Sequence, residues 1–278
     1  MDDNAGQHGA GSDDVVVESL AAELLTAPHG STTCWQPSLP LVGREMAYKV
    51  QDEVFCQIVE SGDSGVGVAV IHDRHRDAVE TAWLTGYAHD GPPVSGHVGD
   101  YLVAPIFAFV LGRRLVGQPL FREATLAAVD RVYGGLMMLG APLRGYLEAI
   151  ASRGSSKTAT DAARLGLVAQ NLGVFGFASS GISMGADQAD LRLEASLVEV
   201  DGAVVSSTSG AVLGNPVDIL HRGVADLLAR GHVLMPGWVI CVGLLCDPIL
   251  VAPGQLVTAT FTRLGSVSVG GTRNTHER

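Results

Sequence analysis

Lysine is nearly missing from this chain: only Lys49 and Lys157 carry an ammonium, and 18 Lys plus Arg face 29 Asp plus Glu. The resulting formal charge of −11 argues against nucleic acid as a partner, because phosphate contacts need clustered positive charge. Long apolar runs are missing too. Hydrophobic residues make up 47% of the chain, yet Gly, Pro or charge interrupts every run before the roughly 18 residues a membrane span needs. That apolar excess points to a tightly packed homo-oligomer rather than a membrane protein. The cysteines, Cys34, Cys56, Cys241 and Cys246, form no C-x-x-C pair, so buried free thiols are expected and a disulfide or zinc site is not. The opening "MDDNAGQHGAGSDD" has no apolar periodicity and no basic end leading into an apolar core. It is expected to be a disordered leader, not a secretory signal, with the cytoplasm as default location.

Periodicity supplies the elements that are present. "VVVESLAAELLTA" and "EMAYKVQDEVFCQIVESG" space their apolar residues for helices. "GVGVAVI" is a short β-type run; the chain then turns polar through "HDRHRDAVETAW", whose charged opening "HDRHRD" reads as a solvated helix start. "FREATLAAVDRVYGGLMML" reads as a helix entering a buried segment, and "EAIASRGSSKTATDAARLG" as a partly helical surface insertion. A hairpin is expected around Asp201-Gly202. "NPVDILHRGVADLLARG" should be a helix capped by Asn215, opened by Pro216 and stopped by Gly231. Strand pairs marked by Pro236-Gly237 and Pro253-Gly254 follow. "RGSSKT" lacks the spacing of a phosphate loop.

Four segments, "AYKVQ", "FAFVLGRRL", "GAVLGNP" and "LGSVSV", together with "ASSG" at 178–181, resemble the 2-keto-4-pentenoate hydratase / 2-oxohex-3-enedioate decarboxylase group of the fumarylacetoacetate hydrolase superfamily. The resemblance runs from about residue 15 to 270. It implies an α+β fold: a disordered leader (1–14), a helical N-terminal portion (15–98), a mixed β-roll (99–271) and a tail (272–278). It also implies Mg²⁺ or Mn²⁺ held by an E-x-E pair on one strand and a third acid on a later segment. Residues two apart on a strand share a face, and a hard cation prefers carboxylate oxygens.

The chain departs from that pattern at each functional position. The two acids fall on Ala104 and Ile106, the third near Met137, and the family lysine on Gly67. The D-N-A-S-S turn falls on residues 176–180, including Phe177 and Ser179, and the late threonine on Val242. No acid lies between Asp100 and Glu123. Neither metal nor other cofactor is therefore expected. Ala104, Ile106, Met137, Phe177, Ser179 and Val242 are expected to line an apolar substrate site. Proton-handling groups would come from the charged run and the Gly/Pro-rich loop: His72, Tyr87 and His89, with Arg222 on the late helix able to pair a carboxylate or a helix neighbour.

The expected function is a metal-independent lyase, isomerase or cyclase acting on a hydrophobic unsaturated small molecule in a biosynthetic pathway. The alternatives are a non-catalytic partner subunit of an active paralogue or a small-molecule binder, and a metal-dependent hydratase or decarboxylase using ligands from elsewhere, such as the His72–Asp77 run.

Overall fold

In a computed structural model, residues 10–26, 35, 37–60, 67–74, 76–84, 87–89, 100–117, 121–151, 157–185, 188 and 190–270 are described. The elements run α1 (Ala10–Thr26), α2 (Gly43–Glu60), β1 (Gly67–Asp73), β2 (Ala78–Leu84), β3 (Tyr87–His89), β4 (Tyr101–Leu111), α3 (Arg122–Ala127), β5 (Val129–Leu139), α4 (Ala141–Ala151) and α5 (Lys157–Ala169). They continue with β6 (Val174–Met184), β7 (Ala195–Val200), β8 (Ala203–Ser209), α6 (Pro216–Ala229), β9 (Val239–Gly243), β10 (Ile249–Val251), β11 (Leu256–Phe261) and β12 (Gly265–Gly270). No described helix is long and apolar enough to cross a membrane.

The chain divides into two units, and the division differs from a simple cut near residue 98. One unit joins Met1–Ser64 to Ala141–Gly173 and holds α1, α2, α4 and α5; the other joins Gly65–Gly140 to Val174–Arg278 and holds the strands. The stretch read as a surface insertion is thus half of the helical unit. Its helices bury Leu143, Leu167 and Val168, and the Gln51 amide donates to the Val168 carbonyl at 2.8 Å. Sequence order gives no sign of which distant helices share a core. Helix α1 begins at Ala10, inside the stretch expected to be a disordered leader, with Asp13 in its first turn, where a negative charge suits the helix dipole.

The strand unit contains an eight-stranded mixed sheet, ordered β2-β1-β9-β4-β5-β6-β3 with β10 also on β4, and a four-stranded sheet, β12-β11-β7-β8. The polar stretch "HDRHRDAVETAW" is strand and turn, and its charged opening is not a helix start. It forms the end of β1, a turn with Asp77 at φ +47, and β2, paired antiparallel from Gly67↔Leu84 to Asp73↔Ala78. Both faces of β2 are buried, so its polar residues do not alternate cleanly with apolar ones. Elsewhere the sequence cues hold. Asp201 and Gly202 both have positive φ in the β7–β8 turn, and the Asn215 side chain accepts from Val217 N at 3.0 Å. Of the described cysteines, Cys241 is buried, Cys246 half-buried and Cys56 exposed, and none of these three forms a disulfide.

Register assigns the two faces of the large sheet. Phe107 lies beside Val242, which lies beside Val70. A Cβ at Gly223 of α6 would press on Val70, and Phe107 meets the Phe261 ring of the small sheet at 6.2 Å. This outer face therefore carries α6 and the small sheet. The inner face is the one the curl encloses, because β2 also packs against β6.

Candidate functional site

On the inner face, Ala104 stands opposite Met137 and Ile106 opposite Gly135 across the β4–β5 ladder. Met137 in turn faces Phe177, and Gly135 faces Ser179, across β5–β6. Strand alternation thus gathers Ala104, Ile106, Met137, Phe177 and Ser179 onto one surface. The first four are 0% exposed and Ser179 is 2% exposed. The structure does not bring Val242 to them. As the partner of Phe107, Val242 lies on the outer face, and its neighbour Gly243 is the residue beside Ile106, since a Cβ there would meet Ile106 Cγ2. A shift of one residue along a strand reverses its face.

The expected acid–base residues separate as well. His72 alternates with Ile71 and sits on the outer face beside α6. Its Nε2 is 3.1 Å from Asp77 Oδ1. Arg222 reaches the same carboxylate with Nη1 at 2.8 Å, and its Nη2 donates to the Asp77 carbonyl. The Arg222 hydrogen bond foremost, then that of His72, holds the Asp77 carboxyl below the usual carboxylate range. Arg222 is committed to fastening the β1–β2 turn to α6, so a carboxylate-binding role does not fit its position. His221 Nδ1 lies 2.9 Å from the Thr125 hydroxyl, a second tie of α6. Tyr87 and His89 pair in register with Phe177 and Ser179 through β3; their side chains lie outside the described residues, as do His75 and Asp90.

Two buried polar residues escaped sequence reasoning. Glu80, 7% exposed, pairs with Ile71 and so belongs to the inner face. The signal was present in "AVETAWL", whose Glu80, Ala82 and Leu84 repeat at strand spacing, but the preceding charged run concealed it. Tyr101, 3% exposed, has a buried hydroxyl without a hydrogen-bond partner, and desolvation pushes its pKa up to about 12. Nothing in the sequence marks that isolation.

Divalent metal does not fit this face. The three positions in line for carboxylates offer methyl, aliphatic and thioether groups, none of which repays dehydration of Mg²⁺ or Mn²⁺. At Gly67, the position in line for the lysine, any Cβ would run into the Val239 carbonyl. Among the described residues no group of three or more His, Cys, Asp or Glu could hold an ion.

No family model matches the chain. Among curated proteins it is similar to a 4-oxalocrotonate decarboxylase of Pseudomonas putida, 34% identical over 106 residues, 37% of this chain and 40% of that protein. A 4-oxalocrotonate decarboxylase of Pseudomonas sp is 27% identical over 174 residues, 61% of this chain and 60% of that protein. The chain is thus similar in sequence to 4-oxalocrotonate decarboxylases, in keeping with the resemblance of its motifs. These matches span less than two thirds of either relative. The fold likeness is broader. The solved 4-oxalocrotonate decarboxylase from Pseudomonas putida G7, complexed with magnesium and adipate, superposes with a TM-score of 0.76 at 22% identity, covering 93% of this chain and 98% of that one. Fumarylpyruvate hydrolase from Pseudomonas aeruginosa, in complex with Mn²⁺ and pyruvate, follows at 0.53 and 15% identity, covering 74% and 88%. At such identities the likeness shows the α+β fumarylacetoacetate-hydrolase-like roll. It does not extend to the chemistry of the site.

Proposed function

We propose that this chain is an enzyme of the hydratase/decarboxylase scaffold that works without a carboxylate-held cation, as a lyase, isomerase or cyclase on a hydrophobic unsaturated small molecule. One observation carries the reading: Ala104, Ile106 and Met137 occupy the inner face together, fully buried, where three oxygen donors would be required. A shaped apolar interior can fold a flexible unsaturated chain and bring its reacting atoms together. Proton handling inside the roll then falls to Glu80 and Ser179, and Tyr87 and His89 of β3 remain further candidates. His72 and Arg222 serve the turn on the outer face. Because the lining positions are 0–2% exposed, ligand entry requires the roll to open.

That same closure favours a second reading, a non-catalytic partner subunit or binder on an inherited scaffold. Metal analysis of the purified protein, with turnover of 4-oxalocrotonate and 2-hydroxypenta-2,4-dienoate assayed with and without Mg²⁺ or Mn²⁺, tests the common premise. The expected result is no bound metal and no metal-dependent turnover. Magnesium-dependent conversion of either compound refutes it. Saturable binding of an apolar diene then favours the enzyme or binder, and its absence favours the partner subunit.

A further inference from the structure

Past the end of β4 the chain exposes two adjacent arginines, Arg113 and Arg114, followed by Val116 at 61% exposed. Backbone hydrogen bonds fix what lies beside them. Gly112 N and Arg113 N donate to the Ala128 carbonyl at the end of α3, at 2.8 and 3.3 Å, and Leu115 exchanges hydrogen bonds with Leu234. The first contact brings in α3, on which Phe121 and Glu123 are exposed, and the second brings in Met235. Phe121 is 67% and Met235 42% exposed. Helix α3 spans only six residues, or about 9 Å, so these groups share one patch of surface. Neighbouring arginines are engaged within the protomer: Arg122 with Asp218, Arg131 with Asp130 and Arg222 with Asp77. Among the described residues, Arg113, Arg114 and Glu123 form no ion pair.

We propose that this patch is a two-fold interface with a second copy of this chain. Arg113 and Arg114 of one protomer meet Glu123 of the partner subunit, and the reverse, around Val116, Phe121 and Met235. Charge is the first reason for a second copy. The patch carries both signs, each unpaired within the protomer, and an isologous contact needs a surface that complements itself. Each copy also bears a formal charge of −11, so two copies repel least where their surface is locally basic. Composition is the second reason. The arginines, Met235 and Phe121 are residue types enriched at protein interfaces, and single exposed protomers gain nothing from three large apolar side chains in water. The contact involves none of the inner-face residues, so it stands or falls separately from the function proposed above.

Sedimentation equilibrium of the intact chain at neutral pH is expected to show a dimer, or an even-numbered assembly built from it. Arg113→Glu together with Arg114→Glu sets carboxylates against Glu123 of the partner subunit and should weaken the two-fold association at least about tenfold. Glu123→Arg alone should do the same. All three substitutions in one chain exchange the signs on both sides of the axis, and should bring the association back to within about threefold of its original strength. The substituted side chains are exposed, and circular dichroism checks that each variant is folded. A monomeric unmodified chain at about 100 μM overturns the proposal without any variant, as does an odd-numbered assembly. Association that either charge reversal leaves unchanged overturns it too, and so does a failure of the combined variant to recover.

Discussion

Ala104→Glu restores one of the carboxylates this scaffold would need for a cation, and the structure says what that should cost. Ala104 is 0% exposed, faces Met137 across the ladder, and lies on a strand buried along nearly its whole length. Enlarging the side chain in so filled a place costs about 1–3 kcal/mol whatever its polarity. Ala104→Gln carries that packing cost and the burial of a polar end, so the difference between Glu and Gln isolates the charge. Buried glutamates reach pKa values of about 8–9, against about 4.3 in the unfolded chain. The folded variant would then retain at pH 7 a proton that its unfolded chain has released. Native protein binds more protons than unfolded, so stability falls as pH rises, by about 1.36 kcal/mol per unit above pH 4.3. By pH 7 the deficit of Glu relative to Gln is about 1.36 × 2.7, or roughly 3.7 kcal/mol, a large share of a total of about 5–15. Urea unfolding of both variants between pH 4 and 7 should show curves that coincide in acid and separate steadily above it. If the two remain within about 1 kcal/mol at pH 7, the charge is solvated. The inner face would then not be dry hydrocarbon, and the argument against metal would lose its physical basis.

Two further perturbations probe the same unit. Glu194 is fully buried and accepts hydrogen bonds from Arg263 N at 2.6 Å, Arg263 Nε at 2.9 Å and Leu264 N at 3.2 Å. Glu194→Gln should cost about 3 kcal/mol, the low end for a broken buried pair because the Arg263 side chain is 43% exposed and can turn to water. This would appear as a lower urea midpoint at unchanged slope, and a midpoint equal to that of the unmodified protein would refute it. Tyr101→Phe removes a buried hydroxyl that has no partner, so it should stabilise by about 1 kcal/mol or leave stability unchanged. It should also flatten the alkaline limb. From pH 10 to about 12 folded Tyr101 keeps a proton that the unfolded chain loses, so stability falls with pH there in the unmodified protein and less so in the variant. Thermal melts across that range are the assay, and a marked loss in Tm at neutral pH would mean that the hydroxyl has a partner after all.

How much was legible in the sequence depended on whether a residue's role was local. The Asn215 cap with Pro216 and the Asp201-Gly202 turn are decided by neighbours in the chain, and both appear in the structure as expected. The E-x-E spacing was also local, so Ala104 and Ile106 could be placed on one strand face from their spacing alone. Val242 shows the limit. Its segment was identified, but which residue of "CVG" faces inward depends on the register of β9 against β1 and β4, and that is set by pairing across the sheet.

By itself, then, the sequence determined the likeness of the scaffold and the apolar residue types at the positions in line for carboxylates, because motif spacing and residue chemistry survive without coordinates. Only the tertiary structure decided that His72 and Arg222 clasp Asp77 on the outer face, that Glu80 joins the inner one, and that α4 and α5 complete the helical unit. Those outcomes depend on strand register, on the direction of curl and on packing between distant segments, none of which a linear pattern encodes.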